Sequence, residues 1–150
     1  VAKESVLNSN FGKNNNFAKS QIKSRLESEI LPKIAEAVGE ENIIEHEVDL
    51  FSLDGDNMYG KVKCKISIPT FDFYRENREI FDKHPLNDWW WLATPNGKIY
   101  LVACVAPSGC VDGDYGGYFG GGVRPFCIFS SSIFVFVLSS VTISIKLILL

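Results

Sequence analysis

At 150 residues, 46% hydrophobic and 22% charged, the chain is sized for one globular domain, which argues against two domains and against a disordered chain. A net charge of −3 and a pI near 5.4 argue against a nucleic-acid binder that works by neutralising phosphates. Four cysteines are too few for a disulfide scaffold, and no charged-then-apolar leader follows Val1, so no secretory signal is expected here. Charge is uneven: residues 1–88 hold 16 acidic and 12 basic side chains, and residues 89–150 hold only 2 and 3. A polar helical half and an apolar β half of one domain account for that split.

In chain order, Asn14-Asn15-Asn16 reads as a loop, and the first strong element runs from Ser20 to Val38. Ile22, Leu26, Ile30 and Ile34 recur every four residues, with Leu31 and Val38 widening the stripe of an amphipathic helix. Ser20 is its cap and Gly39 its terminator, and Pro32 predicts a kink or a division into two short helices. Val48, Leu50 and Ser52 alternate with Asp49, Phe51 and Leu53 as a strand that ends at the turn Asp54-Gly55-Asp56-Asn57. Val62, Cys64, Ile66 and Ile68 alternate with Lys61, Lys63, Lys65 and Ser67, a strand whose lysine face is solvated and guards an edge. A short helix over Asp72 to Lys83 should stop before Pro85. Trp89–Thr94 and Ile99–Ala106 are β-prone, joined by the turn Pro95-Asn96-Gly97. Gly109–Gly122 holds seven glycines and reads as a long loop; Val123–Phe129 and Ile133–Leu138 read as closing strands.

Residues 126–145 carry no charge and match the length of a membrane-spanning helix. The segment is nevertheless rich in β-branched residues and broken by Ser130-Ser131-Ser132, so buried strands are preferred to an anchor. Residues 139–150 form an apolar tail with no assigned role, through which membrane contact is conceivable and not favoured.

Asp88-Trp89-Trp90-Trp91-Leu92-Ala93-Thr94-Pro95, then Ser108-Gly109-Cys110-Val111, then Gly122-Val123-Arg124-Pro125-Phe126 resemble the boxes of an uncharacterised bacterial and phage domain family. That family carries a Trp-Trp-Leu-Arg-Ser-Pro box and a C-terminal Gly-Val-Arg-Pro-Ala box. Asn15-Asn16, Ser20-Gln21-Ile22-Lys23 and Asp49-Leu50-Phe51-Ser52-Leu53 are similar to its Asn-rich loop, helix start and strand, so the resemblance covers residues 3–138. Ala93-Thr94 and Phe126 depart from the boxes. The resemblance implies a C-type-lectin-like fold shared with formylglycine-generating enzymes, and opening strands that would precede Val1. It also points to variable proteins of diversity-generating retroelements, whose C-terminal loops are randomised at adenine-containing codons. Randomised Asn codons never yield Lys, Glu, Gln, Trp or Met, and residues 99–123 contain none of the five.

Chemistry-bearing residues are weighed against structural roles. Trp89 and Trp91 should share one strand face and Trp90 the other, one face packing the core and the other lining the floor under the loops, in preference to a sugar-stacking platform. Arg124 lies in an apolar strand and needs a carboxylate or carbonyls, most simply as a clamp on the glycine-rich loop. Cys104 and Cys110 lack the Arg-rich and Asn-rich surroundings of the cysteine oxidases and read as incidental thiols. His46 and His84 have no metal spacing, and the Asp-Gly-Asp triplets at 54–56 and 112–114 read as turns because neither continues into a calcium loop.

The expected fold is α+β, a C-type-lectin-like domain with N-terminal helices on a twisted, mainly antiparallel sheet with long glycine-rich loops. The expected function is non-catalytic recognition of a surface protein or glycan, without a cofactor, metal or nucleic acid, on a phage particle or bacterial surface. Asn96, Lys98, Tyr100, Asp112, Asp114, Tyr115, Tyr118 and Phe119 are the expected contacts, because Tyr gives contact area at low entropic cost. Trp89, Trp90, Trp91 and Arg124 are the expected scaffold. The alternatives are a cysteine/copper oxidase of the formylglycine-generating type and a membrane-associated structural module.

Overall fold

In the computed structural model, which describes residues 1–97, 99–117 and 120–131, Ser20 starts the helix as expected. Its hydroxyl accepts the Lys23 amide at 3.0 Å, satisfying one of the first-turn donors that have no partner within a helix. Helix α1 (Gln21–Arg25) passes through one π turn, Leu26–Ile30, into α2 (Leu31–Val38). The expected division at Pro32 does not occur. In the wide turn the Leu31 amide reaches the Leu26 carbonyl, five residues back, and this slack lets the helix pass a residue with no amide donor. Ile22, Leu26, Ile30 and Ile34 are buried along one stripe, and Gly39, at φ 84°, ends the helix.

The described strands are β1 (Leu7–Ser9), β2 (Ile43–Ile44), β3 (His46–Asp49), β4 (Lys61–Cys64), β5 (Trp90–Pro95), β6 (Leu101–Val105), β7 (Val111–Tyr115), β8 (Gly121–Val123) and β9 (Ile128–Phe129). Together with the helices they make an α+β fold. The main sheet is mixed, in the order β1-β8-β5-β6-β7, with β5 and β8 parallel and the other three pairings antiparallel. Strands β3 and β4 form a separate hairpin, as do β2 and β9 a small two-stranded sheet. Lys61 and Lys63 are exposed as expected, with Lys61 paired to Glu47 across the hairpin at 2.7 Å, but β4 ends at Cys64 instead of Ile68, and Ser67, expected on the same wet face, is buried.

All six residues of β5 are buried, so the sheet is covered on both sides. Trp91, Ala93, Val102, Cys104 and Val123 face the long helix and the β3–β4 hairpin in one core. Trp90, Leu92, Ala103 and Val105 face α3 (Phe71–Glu76) and α4 (Arg78–Asp82) in a second core. The two short helices replace the single one expected over Asp72–Lys83, with the break at Asn77. Trp91 donates from Nε1 to the Ser9 carbonyl at 2.9 Å and meets Phe11 edge-on at 5.9 Å. Trp90 stacks on Phe81 at 5.4 Å. Both indoles are spent on packing, and Trp89 is half-buried against the Trp91 side.

Four further expectations need correction. The stretch 109–122 is not one loop, because Val111, Gly113 and Tyr115 pair with Val105, Ala103 and Leu101 in β7, and Gly121 opens β8. Asp112-Gly113-Asp114 is therefore strand rather than turn; its alternation was masked by the glycines around it. The strand expected over Val123–Phe129 stops at Val123, and Phe126 and then β9 bond to other partners, Ser67 and β2. Pro125 has no amide to continue the ladder. Arg124 clamps not the glycine-rich loop but the amino-terminal segment: it donates to the carbonyls of Ala2, Lys3 and His84 at 3.0, 3.1 and 3.2 Å. The expected strand Ile133–Leu138 and the apolar tail 139–150 lie outside the described residues. Among the described residues no helix is long and apolar enough to cross a membrane.

Truncation of either central indole should cost about 3–5 kcal/mol, a large part of an ordinary domain's stability of about 5–15 kcal/mol. Urea denaturation of Trp90→Ala and Trp91→Ala measures it. Gly121→Ala should destabilise as well, since its new Cβ would lie 2.6–3.0 Å from atoms of the Trp91 ring.

Candidate functional site

The loops at one end of the main sheet gather around a buried asparagine. Asn15 has no exposed surface. Its Nδ2 donates to the Leu101 carbonyl at 3.1 Å, its amide to the Ile99 carbonyl at 2.8 Å, and its Oδ1 accepts the Tyr59 hydroxyl at 2.6 Å. One side chain thereby ties the Asn-rich loop to the β5–β6 turn and to the β3–β4 hairpin. More bonds close the assembly: Gly12 to Gly116, Leu53 to Pro95, and Asn10 Nδ2 to Gly117. The Asn14-Asn15-Asn16 run marked a loop in the sequence, but nothing in it distinguished Asn15 as the hub.

The β5–β6 turn follows the expected chemistry, with Gly97 at φ 63° and the Asn96 amide bonded to the Leu101 carbonyl at 2.9 Å. Tyr100, at the end of that turn, stacks in parallel on Tyr115 of β7, with centroids 5.1 Å apart and planes 4° from parallel. Both rings stay 43–44% exposed, and Ile99 beside them is 53% exposed. The Asn96 side chain lies over Gly113, whose missing Cβ leaves it room. Strand β7 is one of the two edge strands of the main sheet among the described residues, the other being β1. There Asp112 accepts the Gly113 amide at 2.7 Å and Asp114 the Tyr115 amide at 2.6 Å. The bonded pairs at either end of the β6–β7 ladder, Gly116 to Tyr100 and Ala106 to Cys110, direct these two amides outward. The carboxylates occupy donors that would otherwise recruit another strand.

Of the expected contact residues, Asn96, Tyr100, Asp112, Asp114 and Tyr115 thus come together at the β5–β6 turn and the adjoining edge. Lys98, Tyr118 and Phe119 lie outside the described residues. Phe51, Leu53 and Met58, on the neighbouring β3–β4 hairpin, are also exposed, and were not singled out from the sequence. Six of the eight exposed large apolar side chains among the described residues therefore sit on these loops and the end of β7; the other two are Ile44 and Ile128.

The cysteines are placed differently. Cys104 is buried in β6, and burial together with the Asp114 and Asp112 carboxylates pushes its thiol up to about 12. Burial pushes Cys64 up to about 11, and Cys110 is exposed in the β6–β7 turn. His46 Nε2 pairs with Ser67 Oγ at 2.9 Å, and burial lowers its pKa. Among the described residues no group of three or more His, Cys, Asp or Glu could hold a metal ion. No protein-family model, curated protein or solved structure matches the chain.

Two outcomes test this geometry. Asn15→Ala removes the bond to the Leu101 carbonyl and the acceptor of the Tyr59 hydroxyl and should cost about 1–3 kcal/mol, whereas Tyr115→Ala should change stability by no more than about 0.5 kcal/mol; thermal unfolding compares them. The raised thiols fix a sign with pH. The folded chain holds these two protons more tightly than the unfolded chain, so their contribution is full below the ordinary thiol pKa of 9.0 and is lost as pH rises towards 11–12. Denaturation midpoints between pH 8 and pH 11 should fall less in Cys104→Ala than in the parent.

Proposed function

We propose that the chain is a non-catalytic recognition domain of C-type-lectin-like type, which binds a surface protein or glycan through the loop end around Tyr100 and Tyr115. The observation that carries this reading is the concentration of exposed apolar side chains there, on loops held by Asn15 to a sheet buried on both faces. Apolar surface grouped in this way marks interaction sites on soluble proteins. Aromatic anchors on a rigid support suit binding, because little freedom remains to be lost on association.

The polar groups fit the same task. Asn96 offers an amide, and Asp112 and Asp114 offer acceptors along the β7 edge. Lys98, Tyr118 and Phe119, outside the described residues, complete the proposed contact set on the sequence alone. The boxes around Trp89–Pro95 and Gly122–Phe126 are scaffold in this reading, and residues between them are where a diversity-generating retroelement would write variation. The proposal gives the domain no reaction, and Cys104 supports none, because a thiol held near 12 stays protonated at neutral pH.

A panel of immobilised bacterial surface proteins and glycans, probed with the parent and with the double variant Tyr100→Ala/Tyr115→Ala, tests the reading. Loss of about tenfold or more in affinity at an unchanged melting temperature is expected, since a few aromatics dominate most interfaces. Binding that is indifferent to the double variant would contradict it. In the genome, a reverse-transcriptase gene with a near-repeat of the codons for residues 90–125, differing only at adenines, is expected nearby; an unvaried copy would end the diversification reading.

A further inference from the structure

At the opposite end of the β6–β7 hairpin from the stacked tyrosines, a cavity of about 320 Å³ opens between α3–α4 and the β6–β7 turn. Trp90, Tyr74 and Leu86 line it from one side and Val105 to Gly109 from the other. Three charged residues complete it: Arg124, Arg78 and Asp82. Its size is at the lower end for sites that enclose a small molecule.

The charges in this wall do not cancel. Arg124 is 1% exposed, lies 4.9 and 5.1 Å from the Phe81 and Trp90 ring centroids, and bonds only to carbonyls. Among the described residues no carboxylate pairs with it. A guanidinium carries five N–H groups, and the three carbonyl bonds use one on each nitrogen, leaving a further donor on each terminal nitrogen. Burial lowers its pKa to about 10, so it remains a cation at neutral pH. Asp82 is bonded to Arg78 Nε at 2.7 Å, and Arg78 lies over the Tyr74 ring at 5.4 Å and against Gly109, where any Cβ would collide with it. Asp82 is therefore taken by Arg78, and the cavity is left with one cation in excess beside an aromatic wall.

We propose that this cavity binds a small organic monoanion with a planar apolar body, of the aromatic carboxylate class. Leu86 and the wall from Val105 to Gly109 take the body, and the guanidinium donors take the carboxylate, which supplies the counter-charge that Arg124 lacks. A guanidinium and a carboxylate are matched in shape as well as charge, and the low-polarity wall strengthens the bond. This site is separate from the loop end and does not depend on the recognition reading.

Phenylacetate and its neutral isostere phenylacetamide are suitable probes, titrated into the isotopically labelled chain and followed by amide and indole NMR shifts. Phenylacetate should move the amides of Ala106, Ser108 and Gly109 and the Trp90 indole. Phenylacetamide should bind about tenfold more weakly or worse, the worth of a charge-assisted hydrogen bond. Two surface variants then read the charge balance with opposite signs. Arg78→Met frees the Asp82 carboxylate to offset Arg124 and should weaken phenylacetate, and Asp82→Asn adds to the excess and should tighten it. A purely structural Arg78–Asp82 pair would instead make both variants lose binding together. Equal affinity for acid and amide, shifts confined to residues outside the cavity, no saturable shifts with phenylacetate, or variant effects of the same sign would each overturn the proposal.

Discussion

Strand β5 has no solvent-facing side, and that constraint organises the molecule. Alternation sends Trp91 and Ala93 to one face and Trp90 and Leu92 to the other, so each face must find its own cover. The long helix and the β3–β4 hairpin supply one cover, and α3 with α4 the other. Irregularity in β5 serves the same end. Its register against β6 shifts between Trp91 and Pro95, and the freed Ala93 amide bonds to the Pro69 carbonyl at 2.9 Å. Thr94 Oγ1 accepts the Phe71 amide at 2.8 Å, which fixes where α3 begins.

Burial on both faces leaves function to the ends of the sheet. At one end the connections are short, cross-bonded through Asn15, and carry exposed aromatic and aliphatic side chains. At the other, the Arg124 guanidinium holds the amino-terminal segment and the stretch after α4 against the second core. A buried cation with no carboxylate is an expensive device unless its donors are well used. Here the three carbonyls and two aromatic rings compensate part of that cost, and the cavity beside it offers room for the remainder. The two ends thus differ in character: one carries exposed apolar side chains on loops, the other a small concave site.

Much of this architecture was legible in the residues. The Ile22–Ile34 stripe, the Ser20 cap, the Gly39 stop and the opposed tryptophans all appear where local pattern placed them. They were legible because each rests on periodicity or on a single side chain bonding to its own neighbourhood. The failures share a different cause. Strand β7 was hidden because Asp-Gly-Asp is locally a turn sequence, and only pairing to β6 under the Asn96 side chain makes it a strand. The unbroken helix at Pro32 depends on a π turn that leaves no mark in composition. Arg124 was identified as a buried clamp, but its carbonyl partners lie 40 to 122 positions away and could not be read locally. For the candidate site, Tyr100 and Tyr115 were recognised as exposed aromatics. Their stacking, and the dependence of the whole loop end on Asn15, arise from long-range contacts.

Native-state hydrogen exchange tests most directly whether a rigid two-faced sheet supports independently exposed loops. Amides of the β5, β6 and β8 ladders should exchange only through global unfolding, with one shared free energy that matches denaturant unfolding. Exposed amides of the β5–β6 turn and of the residue 53–58 hairpin tip should exchange orders of magnitude faster, without denaturant dependence. If β5 amides instead exchanged as fast as those of the turns, the sheet would not be the rigid support on which this account rests.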